Sequence, residues 1–181
     1  MDEILLVRGI KNPNARVNVR RKQRILAQMI FGGSRERMLE IAFGDKRPDL
    51  TKGADNSRLT RSKDIEKWAV EVYNFAAKRF GEENIVSFYV HLDETNPHCH
   101  CTVIPVDEEK KRISWKHVFG QNPSEESATF TSLHNDLFKE VSSHWGLERG
   151  SNMAETGAKH RSTEEYKRDL VREVQSLEFT R

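Results

Sequence analysis

Three imidazoles fall within ten residues of each other, in His91-Leu-Asp-Glu-Thr-Asn-Pro-His98-Cys-His100. Imidazole nitrogen is the commonest side-chain donor to a metal ion. Strand side chains alternate between faces, so His98 and His100 point the same way, and a turn at Asn96-Pro97 folds the preceding strand back to bring His91 alongside them. The expected product is a three-nitrogen pocket with coordination positions left over, which is the habit of catalytic rather than structural sites. Neutral imidazoles suit zinc, copper, iron, nickel or manganese better than calcium, so these residues alone do not choose the ion. A cation held there would draw charge from a phosphoryl oxygen and orient the ester. The plainer alternative is three solvated histidines on the surface of a hairpin.

Two carboxylates, Asp93 and Glu94, lie in the turn between the histidines. A carboxylate so placed accepts the outward ring N–H of a ligating histidine and fixes its tautomer. The alternative is ordinary turn chemistry, and the choice between the two carboxylates stays open.

The elements that must position these groups are legible as alternation. In Ile85–Leu92, Val86, Phe88, Val90 and Leu92 form an apolar face, with Ser87, Tyr89 and His91 on the other. The returning strand puts Cys99, Cys101 and Val103 on one face and His98, His100 and Thr102 on the opposite one. Packing apolar against apolar aligns all three histidines on the uncovered side. Tyr89 shares that side two positions from His91, so its hydroxyl is a candidate nucleophile; a packed strand tyrosine is the alternative, since activation needs a partner group. Cys99 and Cys101 alternate into the apolar face and read as small core residues, because a disulfide between such close neighbours on one strand is geometrically awkward.

The histidine segment, followed by Thr102-Val-Ile-Pro105, resembles the histidine motif of the Mob/Pre plasmid mobilisation and recombination proteins, the MobV-type relaxases of the HUH endonuclease superfamily. Gly146-Leu-Glu-Arg149-Gly150 and the Ala158-Lys159-His160 stretch running to Lys167 are similar to segments that follow the histidines there, and Gly9-Ile-Lys-Asn-Pro13 looks like versions from Bacteroides-type bacteria. The resemblance implies an antiparallel sheet and a metal-dependent enzyme of plasmid mobilisation, conjugation and recombination. Such an enzyme binds single-stranded or hairpin DNA at an origin of transfer, nicks one strand, holds the 5′ phosphate covalently and rejoins it. It also implies magnesium or manganese on His91, His98 and His100, DNA contacts from Arg149 and Lys159, and accessory mobilisation or coupling proteins as partners. The family nucleophile is a histidine or tyrosine in an N-terminal motif. This chain has no histidine before His91 and no tyrosine before Tyr73, so the expectation is one relaxase domain over residues 1–181, N-terminally truncated or a natural variant.

Composition sets the outer limits. The 181 residues suffice for one domain with a core, and 36% hydrophobic with 32% charged content suits a solvated globular domain. No apolar run approaches a membrane span and the first residues form no signal peptide, so a cytoplasmic location is expected. A net charge of +2 is no nucleic-acid footprint, so clusters must carry that case. Arg20, Arg21, Lys22 and Arg24 form the densest, and Lys110-Lys111-Arg112 with Lys116 and His117 a second. Both read as backbone contacts to DNA, or else as solvated faces. Trp115 beside them offers either a base-stacking surface or core packing.

Elsewhere, 25–31 reads as a buried central strand, 34–41 as a helix start and 44–60 as a loop. Residues 62–80 read as a capped amphipathic helix, a second helix follows Ser124 and stops at Gly146, and a terminal helix starts at Ser162 with Tyr166, Leu170, Val174 and Leu177 as its stripe. The opening Asp2–Gly9 reads as the tail of a glycine-capped helix. Together these predict an α+β fold, an antiparallel sheet with helices on one face, lacking the first strand of HUH relaxases. Three functions remain: a DNA relaxase, a metal-retaining DNA-binding module without cleavage, and an unrelated three-histidine metallohydrolase.

Overall fold

The computed structural model describes residues 1–15, 22–49, 51–151, 156–157 and 162–178. Two compact units divide it, Met1–Arg149 and Gly150–Arg181. The first holds helix α1 (Asp2–Val7), strand β1 (Ala27–Phe31), helices α2 (Arg35–Phe43) and α3 (Lys63–Phe80), and strands β2 (Ile85–His91) and β3 (His98–Val103). Short strands β4 (Val106–Asp107) and β5 (Arg112–Ile113) follow, then helices α4 (Trp115–Phe119) and α5 (Pro123–Glu140). The second unit holds helix α6 (Thr163–Glu178), capped where Ser162 Oγ accepts the Glu165 N–H at 3.2 Å and the Glu165 carboxylate accepts the Ser162 N–H at 2.8 Å. Of its expected stripe, Tyr166 and Leu170 are exposed; the side chains of Val174 and Leu177 lie outside the described ones.

The main sheet is antiparallel in the order β1-β3-β2. The strand expected to be central, around 25–31, is therefore at an edge, and β3 takes the middle. Its edge position shows in Ile30, 66% exposed on the open face. Helices cover the opposite face. Met38, Ile41, Ile65, Trp68, Val72, Phe75 and Leu133 close over Ala27, Phe31, Cys99, Cys101 and Val103 in one core. Lys63–Phe80 is helical as its three- and four-residue apolar spacing requires, with Ser62 Oγ accepting the Asp64 N–H at 3.1 Å and Gly81 ending it at φ +85°.

Two local expectations shift. A β-bulge lies between Ile85 and Ser87, so Ile85 pairs with Val103 on the covered face. Val86, the extra residue, packs instead on a second core of Leu5, Ile10, Ile104, Val106 and Ile113. The α5 cap falls on Asn122, whose Oδ1 accepts the Glu125 N–H at 3.0 Å, with Pro123 at the first helical position, two residues ahead of the cap read at Ser124.

Candidate metal centre

Register decides which side chains meet. His91 is directly opposite His98, and both Ile30 and Tyr89 flank His100 across the ladder. Directly opposed residues of an antiparallel pair share a face, so His91, His98, His100 and Tyr89 all stand on the side away from the helices. The three rings converge: centroids are 5.2 Å apart for His91 and His98, 4.7 Å for His91 and His100, and 4.8 Å for His98 and His100.

One sequence of donors accounts for the nitrogens of two rings. His98 Nδ1 lies 2.8 Å from the Asn96 carbonyl oxygen, an acceptor only, so Nδ1 carries the proton and Nε2 keeps its lone pair. That Nε2 is 2.9 Å from Nε2 of His100, and His100 Nδ1 is 3.1 Å from the Gln28 carboxamide nitrogen. Gln28 thus donates to His100, and His100 to His98. The turn is held in place by Arg35 Nε, which donates to the Thr95 carbonyl at 3.1 Å, and by Asn96 Nδ2, which donates to the Gly33 carbonyl at 3.2 Å. Pro97 is buried beneath it.

The two turn carboxylates separate. Glu94 Oε1 is 3.5 Å from Nδ1 of His91, whereas Asp93 makes no hydrogen bond or ion pair among the described residues and borders, with Phe43, Leu59, Arg61 and Leu92, a cavity of about 790 Å³. One ligand atom each from His91, Glu94 and His98 lie within 4.8 Å of one another. His100 stands beside this group, its Nε2 2.9 Å from Nε2 of His98. Three imidazoles and one carboxylate fit a borderline divalent ion with room for further oxygens. His91 is about a third exposed, so the group opens to solvent at the sheet edge.

Tyr89 is 63% exposed, which sets aside the packed-tyrosine reading. No described side chain hydrogen-bonds its hydroxyl. Behind the sheet, Cys99 and Cys101 are buried and free, and burial pushes their thiols up to about 12 and about 11. Among the described residues, Lys22, Arg24 and Arg149 make no hydrogen bond to the histidines. Arg149 donates from Nε to Asn135 Oδ1 at 2.8 Å on α5, and Lys22 and Arg24 precede β1. Arg20, Arg21 and Lys159 lie outside the described residues. Sequence reasoning missed Gln28, Arg35 and the Asn96 carbonyl, and only the Gln28–Ile30 alternation carried any signal of the first.

The fold is that of relaxase domains. It superposes with a TM-score of 0.60 and 23% identity on the MobM relaxase domain (MOBV; Mob_Pre) bound to 26-nucleotide pMV158 oriT DNA, over 91% of this chain and 78% of that one. A manganese-bound structure of the same domain with 23-nucleotide oriT DNA gives 0.60 and 23% over 94% and 73%. At the level of sequence, residues 51–168 match the Mob_Pre family, described as plasmid recombination enzyme, and the chain belongs to that family. Plasmid recombination enzyme type 1 of Staphylococcus aureus is 33% identical over 64% of this chain and 27% of its own length. The Streptococcus agalactiae enzyme is 36% identical over 54% and 18%. The chain thus spans about a quarter of the first of these relatives.

Proposed function

We propose that this chain supplies the metal-binding part of a plasmid relaxase, which binds single-stranded or hairpin DNA at an origin of transfer in the cytoplasm and nicks and rejoins one strand. The observation that carries the reading is the convergence of His91, His98 and His100 to within 4.7–5.2 Å on the open face of the sheet. Likeness in fold to a domain solved with oriT DNA and manganese supports it.

His91, His98 and His100 would hold a divalent ion, manganese or magnesium, with Glu94 beside His91. That ion would supply Lewis-acid polarisation of the scissile phosphate. The chain's own groups do the positioning. Asn96 fixes the His98 tautomer through its carbonyl, Glu94 orients His91, and the Arg35 contact keeps the turn from swinging away. In the transesterification the nucleophile forms a bond to the 5′ phosphorus while the bond to the 3′ oxygen breaks, and that oxygen leaves with a proton as a free hydroxyl. Tyr89 is the described tyrosine nearest the histidines in register, but no described side chain hydrogen-bonds its hydroxyl, which favours a second reading, a DNA-binding module that keeps its ion and leaves cleavage to other residues. Accessory mobilisation or coupling proteins would act on the assembled complex.

The test combines manganese calorimetry with a labelled, origin-like single strand. Uptake of one ion, lost in a His98→Ala/His100→Ala variant, together with a covalent or cleaved product, supports the relaxase. Metal-dependent binding without product supports the second reading. Manganese uptake with no DNA affinity leaves an unrelated metallohydrolase, and no ion uptake at saturating manganese overturns the site.

A further inference from the structure

Two basic segments that are far apart in sequence, Lys22–Arg24 before β1 and Lys110–His117 around β5 and α4, line one concavity of about 1000 Å³. Its wall includes five cationic side chains, those of Lys22, Arg24, Lys110, Arg112 and Lys116, against one carboxylate, Asp107. Asp107 is buried and committed: it accepts the Lys110 backbone N–H at 3.2 Å, takes Arg112 Nε at 3.4 Å and faces His117 Nδ1 at 4.0 Å. Arg24 is committed as well, since it pairs with Glu126 and lies 4.0 Å over the Trp115 ring. Lys22, Lys110 and Lys116 have no acidic partner among the described residues. Three unpaired ammonium groups around one hollow create a positive potential that a polyanion relieves.

Trp115 narrows the class of ligand. Arg24 occupies one face of its indole, Phe119 packs at 4.4 Å against it, and Nε1 donates to Glu126 at 2.8 Å. The ring is therefore a wall of the hollow and not a stacking platform, which turns the choice of ligand toward the charged backbone. The hollow also lies away from the histidines. His98 and His100 stand toward the Phe31 end of β1, whereas Lys22 and Arg24 precede its Ala27 end, beyond Val103. The run from Val103 to His98 covers about 17 Å, or roughly five nucleotides of B-form rise.

Resting on the relaxase reading above, we infer that this hollow is a second DNA site. It takes the sugar–phosphate backbone a few nucleotides from the scissile bond, without regard to sequence, through Lys22, Lys110 and Lys116.

The experiment is a salt titration of binding to two labelled hairpins of unrelated sequence and equal length, followed by anisotropy with the full chain. Lys22→Gln, Lys110→Gln and Lys116→Gln should each lower the slope of log affinity against log salt by about one. The combined variant should show the summed loss on both hairpins, with manganese uptake unchanged. A combined variant that keeps the wild-type slope on hairpins the wild type binds overturns this site and leaves the metal centre standing, as does an effect confined to one hairpin. Failure of the wild type to bind either hairpin overturns this site, while the relaxase reading stands or falls with the origin-like strand and manganese measurements above.

Discussion

The carboxamide of Gln28 stands 3.1 Å from Nδ1 of His100, across the ladder from β1 to β3. As a donor it leaves the His100 proton on Nε2, the nitrogen that faces His98. Binding an ion through Nε2 requires that proton on Nδ1, with an oxygen to accept it. Gln28 supplies that oxygen only by turning its carboxamide over; Gln28→Glu supplies it permanently and should tighten manganese binding, whereas Gln28→Leu, which can never supply it, should weaken binding by roughly tenfold. Calorimetry measures both, and nitrogen chemical shifts of His100 report the tautomer. Equal affinities in the two variants would contradict the assignment.

Tyr89 tests the division between chemistry and binding. Because it is largely exposed beside His100, its ring is available to a nucleobase. Tyr89→Phe should retain single-strand affinity, while Tyr89→Ala should lose about 1–3 kcal/mol of it. Loss of a covalent adduct in Tyr89→Phe, at unchanged affinity, would instead mark the hydroxyl as the nucleophile.

The cysteines carry a pH signature. Their folded pKa values, about 12 for Cys99 and about 11 for Cys101, exceed the ordinary value of 9.0, so between these limits the folded state holds more protons than the unfolded one. Stability is then full below pH 9 and falls as pH rises toward 11 and 12. Urea midpoints from pH 8 upward should show the decline, flattened in a Cys99→Ala/Cys101→Ala variant once the core loss is allowed for. At neutral pH a thiol reagent should label the chain only after denaturant is added.

Gly120 joins α4 to α5 at φ +126°, and a Cβ there would come within 2.6 Å of the Glu126 backbone nitrogen. Backbone in the first turn of α5 cannot yield as a side chain would. Gly120→Ala should lower stability by about 2 kcal/mol or more through strain and forced displacement. A denaturation midpoint equal to wild type would show that the turn relaxes freely.

Much of the site could be read from the chain because strand alternation is a strict period of two. His98 and His100 had to share a face, and the apolar partners Cys99, Cys101 and Val103 named which face it was. His91 followed from the tightness of the Asn96-Pro97 turn. What stayed hidden depended on contacts distant in sequence. Gln28 meets His100 across 72 positions, and no local pattern states that β1 pairs with β3 or that it lies at the edge. The bulge at Val86 broke a period that looked uninterrupted, since valine suits either core. Asn122 and Ser124 are both good caps, and Pro123 decided between them by favouring the first helical position. Trp115 was ambiguous until Arg24 and Phe119 were found on its ring.

His98 and His100 ride on β3, whose backbone is laced to a neighbour on both flanks, whereas His91 ends an outer strand and Glu94 hangs from the turn beyond it. Opening β3 means undoing most of the domain, while the far side can flex at little expense. The donor set is thus half anvil and half spring. On the relaxase reading, such a cradle would tolerate ions of differing radius, and would follow a phosphate as it changes shape, without surrendering its grip on the central strand.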